Sequence, residues 1–458
     1  MNIGADRMSR WLRSVFTGSQ LPTAHPVDDS GEGAESLIGF VIAAAVVGAL
    51  TGLAAASFRI MLDDASAWRS SLASWAHGSW WGLLVLVVTC SVSVTAAAAL
   101  VRRLEPHAEG SGIPRVEAVV AGRAEPDRFR ILPIKYAGGL LSIGSGLALG
   151  REGPSVQMGG TIAVIVATVT RRPLADLRIL MAGGAAAGLA TAFNAPIAGG
   201  VFVLEELVKR FDPRTTVATL VASASGFAAA YPFTGSGTDF HMPPLHDPHM
   251  ANAGWVLAVG VATGLLGVFY NKAVMIGLSI ADASRLPAEV RAAFIGIVVG
   301  VVVWCAPDLA GGGDNLTQHA LLGHGTIWAV TGALAFRFVF GVVSYAALTP
   351  GGLFAPMLVL GADVGLIVGL VARDLAPHSA PDPAALALIG MAAFFTASVR
   401  APVTGLILAT ELTGTTNQLL PMLGACAVAM LVALTLRSRP IYDLLTDRAA
   451  KSGASRSP

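Results

Sequence analysis

Arg151 and Glu152 stand side by side in Gly150-Arg151-Glu152-Gly153-Pro154, between apolar stretches at 136–149 and 156–169. A lone charge at the centre of a bilayer costs about 3 kcal/mol or more, so an ionisable residue in such a place is a functional candidate. Glycine lets the backbone break and proline suits the first turn of a new helix. Two readings of the stretch are open on these residues alone. It is a broken helix whose second half starts near Pro154, with Glu152 at the break, or it is a short loop at a membrane surface.

Two further breaks share the Gly-then-Pro pattern: Gly110-Ser111-Gly112-Ile113-Pro114 and Gly351-Gly352-Leu353-Phe354-Ala355-Pro356. A helix start presents unpaired N–H groups and about half a positive charge. Several starts that converge would hold an anion without a full cation. Ser111 adds a hydroxyl, and neither of these two breaks contains Lys or Arg. Binding by dipoles suits a site that must release its ion quickly. A second carboxylate pair, Glu205 and Glu206, ends an apolar run just before Lys209, Arg210 and Arg214. It reads either as a proton-handling site or as a helix end paired with Lys209 or Arg210, worth about 0.3–0.5 kcal/mol if exposed.

The elements that must position these residues are membrane helices. Of 458 residues, 54% are hydrophobic and 13% charged, against roughly 25% charged in soluble domains. The expected fold class is all-α, a polytopic membrane protein. A net charge of +1 implies no nucleic-acid partner. Cys90, Cys305 and Cys426 lie far apart and show no disulfide or metal spacing. Apolar runs follow one another from 37–60 to 418–436, among them 179–204, and many are too short to span alone. Short interrupted segments point to half-helices that meet inside the bilayer.

A repeat with an offset of about 200 residues is readable. Gly150-x-x-x-Pro154 with Gly159 matches Gly352-x-x-x-Pro356 with Gly361. Gly184 matches Gly390, and Ala195-Pro196 with Glu205 matches Ala401-Pro402 with Glu411. The expected organisation is an N-terminal segment 1–36, a first membrane repeat 37–231, an external linker 232–253, a second repeat 254–445 and a tail 446–458. Basic residues crowd both termini and the 102–130 connection, while loops 232–253 and 307–326 carry no Lys or Arg. The positive-inside tendency then puts both termini in the cytoplasm. Met8–Phe16 has the basic and apolar mixture of a surface-lying helix, or of a disordered tail. The linker residues His241, His246, His249, Asp239 and Asp247 suit a metal in type but not in spacing. Gly311-x-Gly313-Asp314 and Tyr442-Asp443 match the two elements of an intramembrane aspartyl protease, in the wrong order and on opposite expected faces.

The chain resembles the CLC family of chloride channels and chloride/proton exchangers. GSGIP at 110–114, GREGP at 150–154, GGLFAP at 351–356 and RPIYDLL at 439–445 carry the resemblance, with NAPIAGGVFVLEE at 194–206 and RAPVTGLILATELTG at 400–414. It covers about residues 37–445. It implies two inverted repeats, a homodimer with one pathway per subunit, no cofactor and no metal, and a site occupied by chloride ions. By the same resemblance Ser111, Ile113, Leu353, Phe354 and Tyr442 hold the central anion. Gly110, Gly112, Pro114, Gly150, Arg151, Gly153, Pro154, Glu205, Gly352 and Pro356 support it. Glu152 resembles the gating glutamate and Glu206 the internal proton glutamate of the exchangers. A passive channel is the alternative, and an enzyme is not expected. Arg115 departs from the family, which often has an acidic residue there. Too few residues follow Tyr442 for the regulatory CBS domains of eukaryotic members. A bacterial inner membrane is the expected location.

Overall fold

The computed structural model describes residues 34–235 and 237–454; the Met8–Phe16 segment lies outside them. The described residues form seventeen α-helices. Eight come before the linker: α1 (Ala34–Ala76), α2 (Trp80–Leu104), α3 (Ile113–Val120), α4 (Ile131–Gly144), α5 (Glu152–Val169), α6 (Leu174–Phe193), α7 (Pro196–Phe202) and α8 (Pro213–Thr234). Eight follow it: α9 (Ala253–Ala283), α10 (Ala288–Cys305), α11 (Asp314–Leu321), α12 (Ile327–Tyr345), α13 (Phe354–Leu375), α14 (Pro383–Val399), α15 (Pro402–Thr413) and α16 (Leu419–Thr435). The last, α17 (Ile441–Ala454), carries Tyr442.

Eight helices are long and apolar enough to cross a bilayer. Their outer faces stay apolar. On α1, Ile38, Ile42, Val46, Leu50 and Leu53 are exposed, while Phe40, Ala43, Ala44 and Val47 are buried. Trp68, Trp75, Trp80 and Trp81 are exposed around the α1–α2 turn, as in an interfacial aromatic belt. The polypeptide is a multi-pass membrane protein.

Small residues set how closely the inner helices approach. A Cβ at Gly159 of α5 would collide with the carbonyl of Gly184 in α6, and one at Gly361 of α13 would lie 2.5 Å from the carbonyl of Gly390 in α14. The glycines that match in the repeat therefore make the same contact in each half. The short helices α3 and α11 also correspond, each eight residues long and each preceded by a left-handed glycine, Gly112 (φ 83°) and Gly313 (φ 102°).

The apolar run at 179–204 does not form one helix. It ends at Asn194, which is left-handed (φ 53°), and restarts at Pro196. Arg400 (φ 75°) and Pro402 make the same break in the second half. Hydropathy cannot register this break, because Ala195 and Ile197 beside it are apolar. The α7 end then widens into a single π-turn, Val203–Leu207, which holds Glu205 and Glu206. Such insertions recur at functional sites.

Candidate functional site

Three helix starts meet at the centre. Gly150 and Gly352 pair as an isolated antiparallel bridge, each N–H donating to the other's carbonyl at 2.8 Å. This bridge fixes the start of α5 against the start of α13. The loop before α3 joins them through Gly351 N–H, which donates to Gly110 O at 3.1 Å. Gly153 packs against Ser111 so tightly that a Cβ there would lie 2.5 Å from its hydroxyl oxygen. Glycine is required at Gly153 by this close approach rather than by its φ angle.

Glu152 is the first residue of α5 and is 2% exposed. Its carboxylate folds back over Gly150 toward Ala355, and the backbone N–H groups of Glu152 and Ala355 face it. Its Oε2 has no hydrogen-bond partner. A carboxylate thus occupies the concave position that two helix starts prepare for a negative charge. Of the two sequence readings of this stretch, the broken helix is what forms.

Two buried hydroxyls on this side lack partners, Ser111 Oγ and Tyr442, and so does Glu206 Oε1 in the π-turn beyond α7. Orphaned buried donors cost free energy unless an ion or water meets them. Phe354 sits between Phe193 (4.9 Å), Phe202 (5.6 Å) and Phe395 (4.4 Å), and Phe202 in turn packs edge-on against Tyr442 at 6.2 Å. These rings leave the Tyr442 hydroxyl as the polar tip of an apolar wall. Tyr442 is within electrostatic range of both Glu152 and Glu206. Ile113 and Leu353 are fully buried at the starts of α3 and α13, and Pro114, Pro154 and Pro356 lie in the first turns of α3, α5 and α13.

The charge of Arg151, for which sequence offers no partner, is accounted for on the linker side of the molecule. Its Nε donates to Ala192 O at 3.1 Å, and its guanidinium lies 3.4 Å from Asp63 and 3.6 Å from Asp239. A cavity of about 350 Å³ on this side is lined by Gly150, Arg151, Glu152 and Asp314.

Glu206 lies toward α17. Lys209 is within electrostatic range of it but makes its ion pairs with Asp443 (2.6 Å) and Glu117 (3.7 Å). The pairing of Glu206 with Lys209 at a helix end is therefore not the one that forms. Glu205 does something different: Oε1 accepts from Val403 N at 3.1 Å, and Oε2 accepts from Thr404 N and the Thr404 hydroxyl, both at 2.7 Å. Glu411 returns the arrangement, accepting from Ile197 N (3.0 Å) and Ala198 N (2.7 Å). Each half caps a helix start of the other. The sequence match of these glutamates as repeat partners did not show what they bind.

Sequence reasoning also missed two buried cations and a buried acid. Lys135 donates to the carbonyls of Ala108 (3.0 Å) and Gly110 (2.7 Å), and so holds the loop that presents Ser111. Arg337 does the same in the second half, donating to Leu309 (3.0 Å), Gly311 (2.7 Å) and Gly312 (2.7 Å). The available signal was a single cation in each of the apolar runs Ile131–Gly144 and Ile327–Tyr345. Glu117 accepts from the Thr446 hydroxyl at 3.0 Å and from Arg123 at 2.8 Å, which ties α17 to α3. Arg115 is neutralised by buried Asp127 at 2.7 Å.

Asp314 and Asp443 are not brought together. The first lines a cavity with Arg59 and Asp239, and the second pairs with Lys209. Among the described residues no group of three or more His, Cys, Asp or Glu side chains is placed to hold a metal.

The architecture and the charge-poor cradle of helix starts define a membrane transport protein of the broken-helix kind. The sequence profile described as "Voltage gated chloride channel" matches residues 93–434, and the chain belongs to this family. It is 34% identical over 423 residues to the H(+)/Cl(-) exchange transporter ClcA of Vibrio parahaemolyticus, covering 90% of each chain. It is 33% identical to the protein of that name from Cronobacter sakazakii, over 91% of each. Among solved structures it is similar to a slow cyanobacterial Cl-/H+ antiporter, with a TM-score of 0.85 and 31% identity over 90% of this chain and 97% of that one. A CLC-type fluoride/proton antiporter shares the fold at a TM-score of 0.74 and 20% identity.

Proposed function

We propose that this protein exchanges chloride for protons across a bacterial inner membrane, with Glu152 as the gate and both termini in the cytoplasm. The observation that carries the reading is the buried Glu152 carboxylate seated between the starts of α5 and α13, beside hydroxyls that lack partners. Ionised, this carboxylate is a tethered anion in a site built for a free one. Protonated, it loses its attraction to the helix starts and swings aside, and chloride takes the vacated position. One side chain thereby links the two fluxes. Ser111, Tyr442 and the backbone at Ile113, Leu353 and Phe354 hold the central chloride.

Glu206 supplies protons from the cytoplasmic side. Its burial, its free Oε1 and the diversion of Lys209 to Asp443 and Glu117 support that role. The relatives named as H(+)/Cl(-) exchange transporters support exchange over a passive channel. A homodimer with one pathway per subunit is part of the proposal. No cofactor is required, because the chloride is cargo. The test is reconstitution into liposomes with an imposed chloride gradient and a pH-sensitive dye inside. Protons driven against their own gradient are the expected result; chloride flux without proton movement would leave a channel.

A further inference from the structure

The linker between the halves contributes a residue to the outer mouth of the site. After α8 the chain crosses the molecule and is pinned at several points. Asn194 donates to Gly237 O at 2.7 Å, Phe240 N donates to Leu412 O at 2.9 Å, and Gln318 exchanges two hydrogen bonds with His241. These bonds seat Asp239 in the fold, with its side chain 9% exposed.

Two cations meet Asp239. Arg59, from α1, donates to Oδ1 at 2.8 Å, and Arg151 lies 3.6 Å from Oδ2. Asp63 on α1 and Asp314 on α11 are the other charged groups around it, and all five line one cavity of about 160 Å³ that ends on Ala355, in the first turn of α13. Arg59 Nη1 is buried in this cluster with no hydrogen-bond partner. Two arginines therefore face three aspartates, and the Asp239 carboxylate bridges Arg59 and Arg151, the second of which directly precedes Glu152 in the chain.

We propose that Asp239 is a positioning residue for transport: by holding Arg59 and Arg151 it sets the positive charge at the outer mouth, and so the pH at which the Glu152 gate opens. The inference rests on the gating role proposed above for Glu152. Its sign follows from electrostatics. Removing the Asp239 charge leaves Arg59 unpaired and leaves Arg151 with Asp63 alone among its ion-pair partners. The mouth becomes more positive, Glu152 takes a proton less readily, and external chloride is drawn in more strongly. Burial pushes the Asp239 carboxyl above the usual carboxylate range, while the two arginines pull it down.

The experiment is chloride flux from reconstituted full-length protein, recorded against pH and external chloride. Asp239→Asn keeps the shape and some hydrogen bonds of the native residue. It is expected to move the half-maximal pH down by about half a pH unit and to strengthen apparent chloride affinity about threefold. The double variant Asp239→Asn with Arg59→Gln restores the local charge balance and should return both readouts toward those of the native protein. An unchanged profile in the single variant overturns the proposal. So does a double variant more impaired than the single, since a purely structural clamp predicts that result. The readout is chloride flux, so it is independent of coupling. Proton transport by the native protein is measured in parallel, and its absence would sink exchange without deciding the role of Asp239.

Discussion

At the same point in each half, the chain makes the same turn with opposite chemistry. Gly150 and Gly352 bond to each other, and two residues later comes Glu152 in the first half and Phe354 in the second. Phe354 is locked among Phe193, Phe202 and Phe395. Glu152 has an unpartnered oxygen and a cavity beside it. In the proposed mechanism one half supplies the fixed wall and the other the movable charge. Duplicated architecture gives two converging helix starts, and the proposed gate arises from divergence at one position of that cradle.

The largest expected effect tests that asymmetry directly. Glu152→Ala should abolish chloride-driven proton uptake in liposomes while chloride passage persists. Intact coupling in that variant would remove Glu152 from the mechanism. Glu206→Gln, on the tail side of the first half, should reduce coupled proton flux more than tenfold with chloride flux retained; a native ratio of protons to chloride would return Glu206 to a structural role.

The reciprocal caps probe where the halves are alike. Glu411→Gln and Glu205→Gln each weaken charge-assisted bonds to two helix-start N–H groups, at a cost of about 1–3 kcal/mol. Thermal unfolding in detergent should show similar losses for both, with Glu205→Gln slightly worse because Thr404 also donates its hydroxyl. A loss confined to one of them would break the symmetry. The smallest effect concerns selectivity. Ser111→Pro removes the unpartnered hydroxyl, together with the N–H that donates to the Tyr345 hydroxyl at 3.5 Å, and should shift preference from chloride toward nitrate. A reversal potential identical to that of the native protein would exclude Ser111 as a ligand.

Much of this is legible in the sequence. Charge depletion gave the membrane class, and the Gly-then-Pro stretches gave the breaks, because those residue types act on their own backbone. What stayed hidden depends on partners distant in sequence. Glu205 and Glu411 match as a pair, but their targets are helix starts about 200 residues away, and no local pattern marks them. Lys135 and Arg337 resemble ordinary snorkelling cations until their carbonyl acceptors are seen. The linker reads only as an external connection, because it carries no Lys or Arg; its hold on Asp239 comes from Asn194 and Gln318 in other elements.

The mutual capping has a further consequence, for the order in which the protein is made. Helix α7 leaves the ribosome about 200 residues before Glu411 is synthesised, an interval on the order of ten seconds or more at 5–20 residues per second. Throughout it, the N–H groups of Ile197 and Ala198 lack the carboxylate they bond in the finished fold. The first half is therefore born unfinished, and the last membrane segments of the second complete it. Co-translational insertion must keep the early segments open to a late arrival.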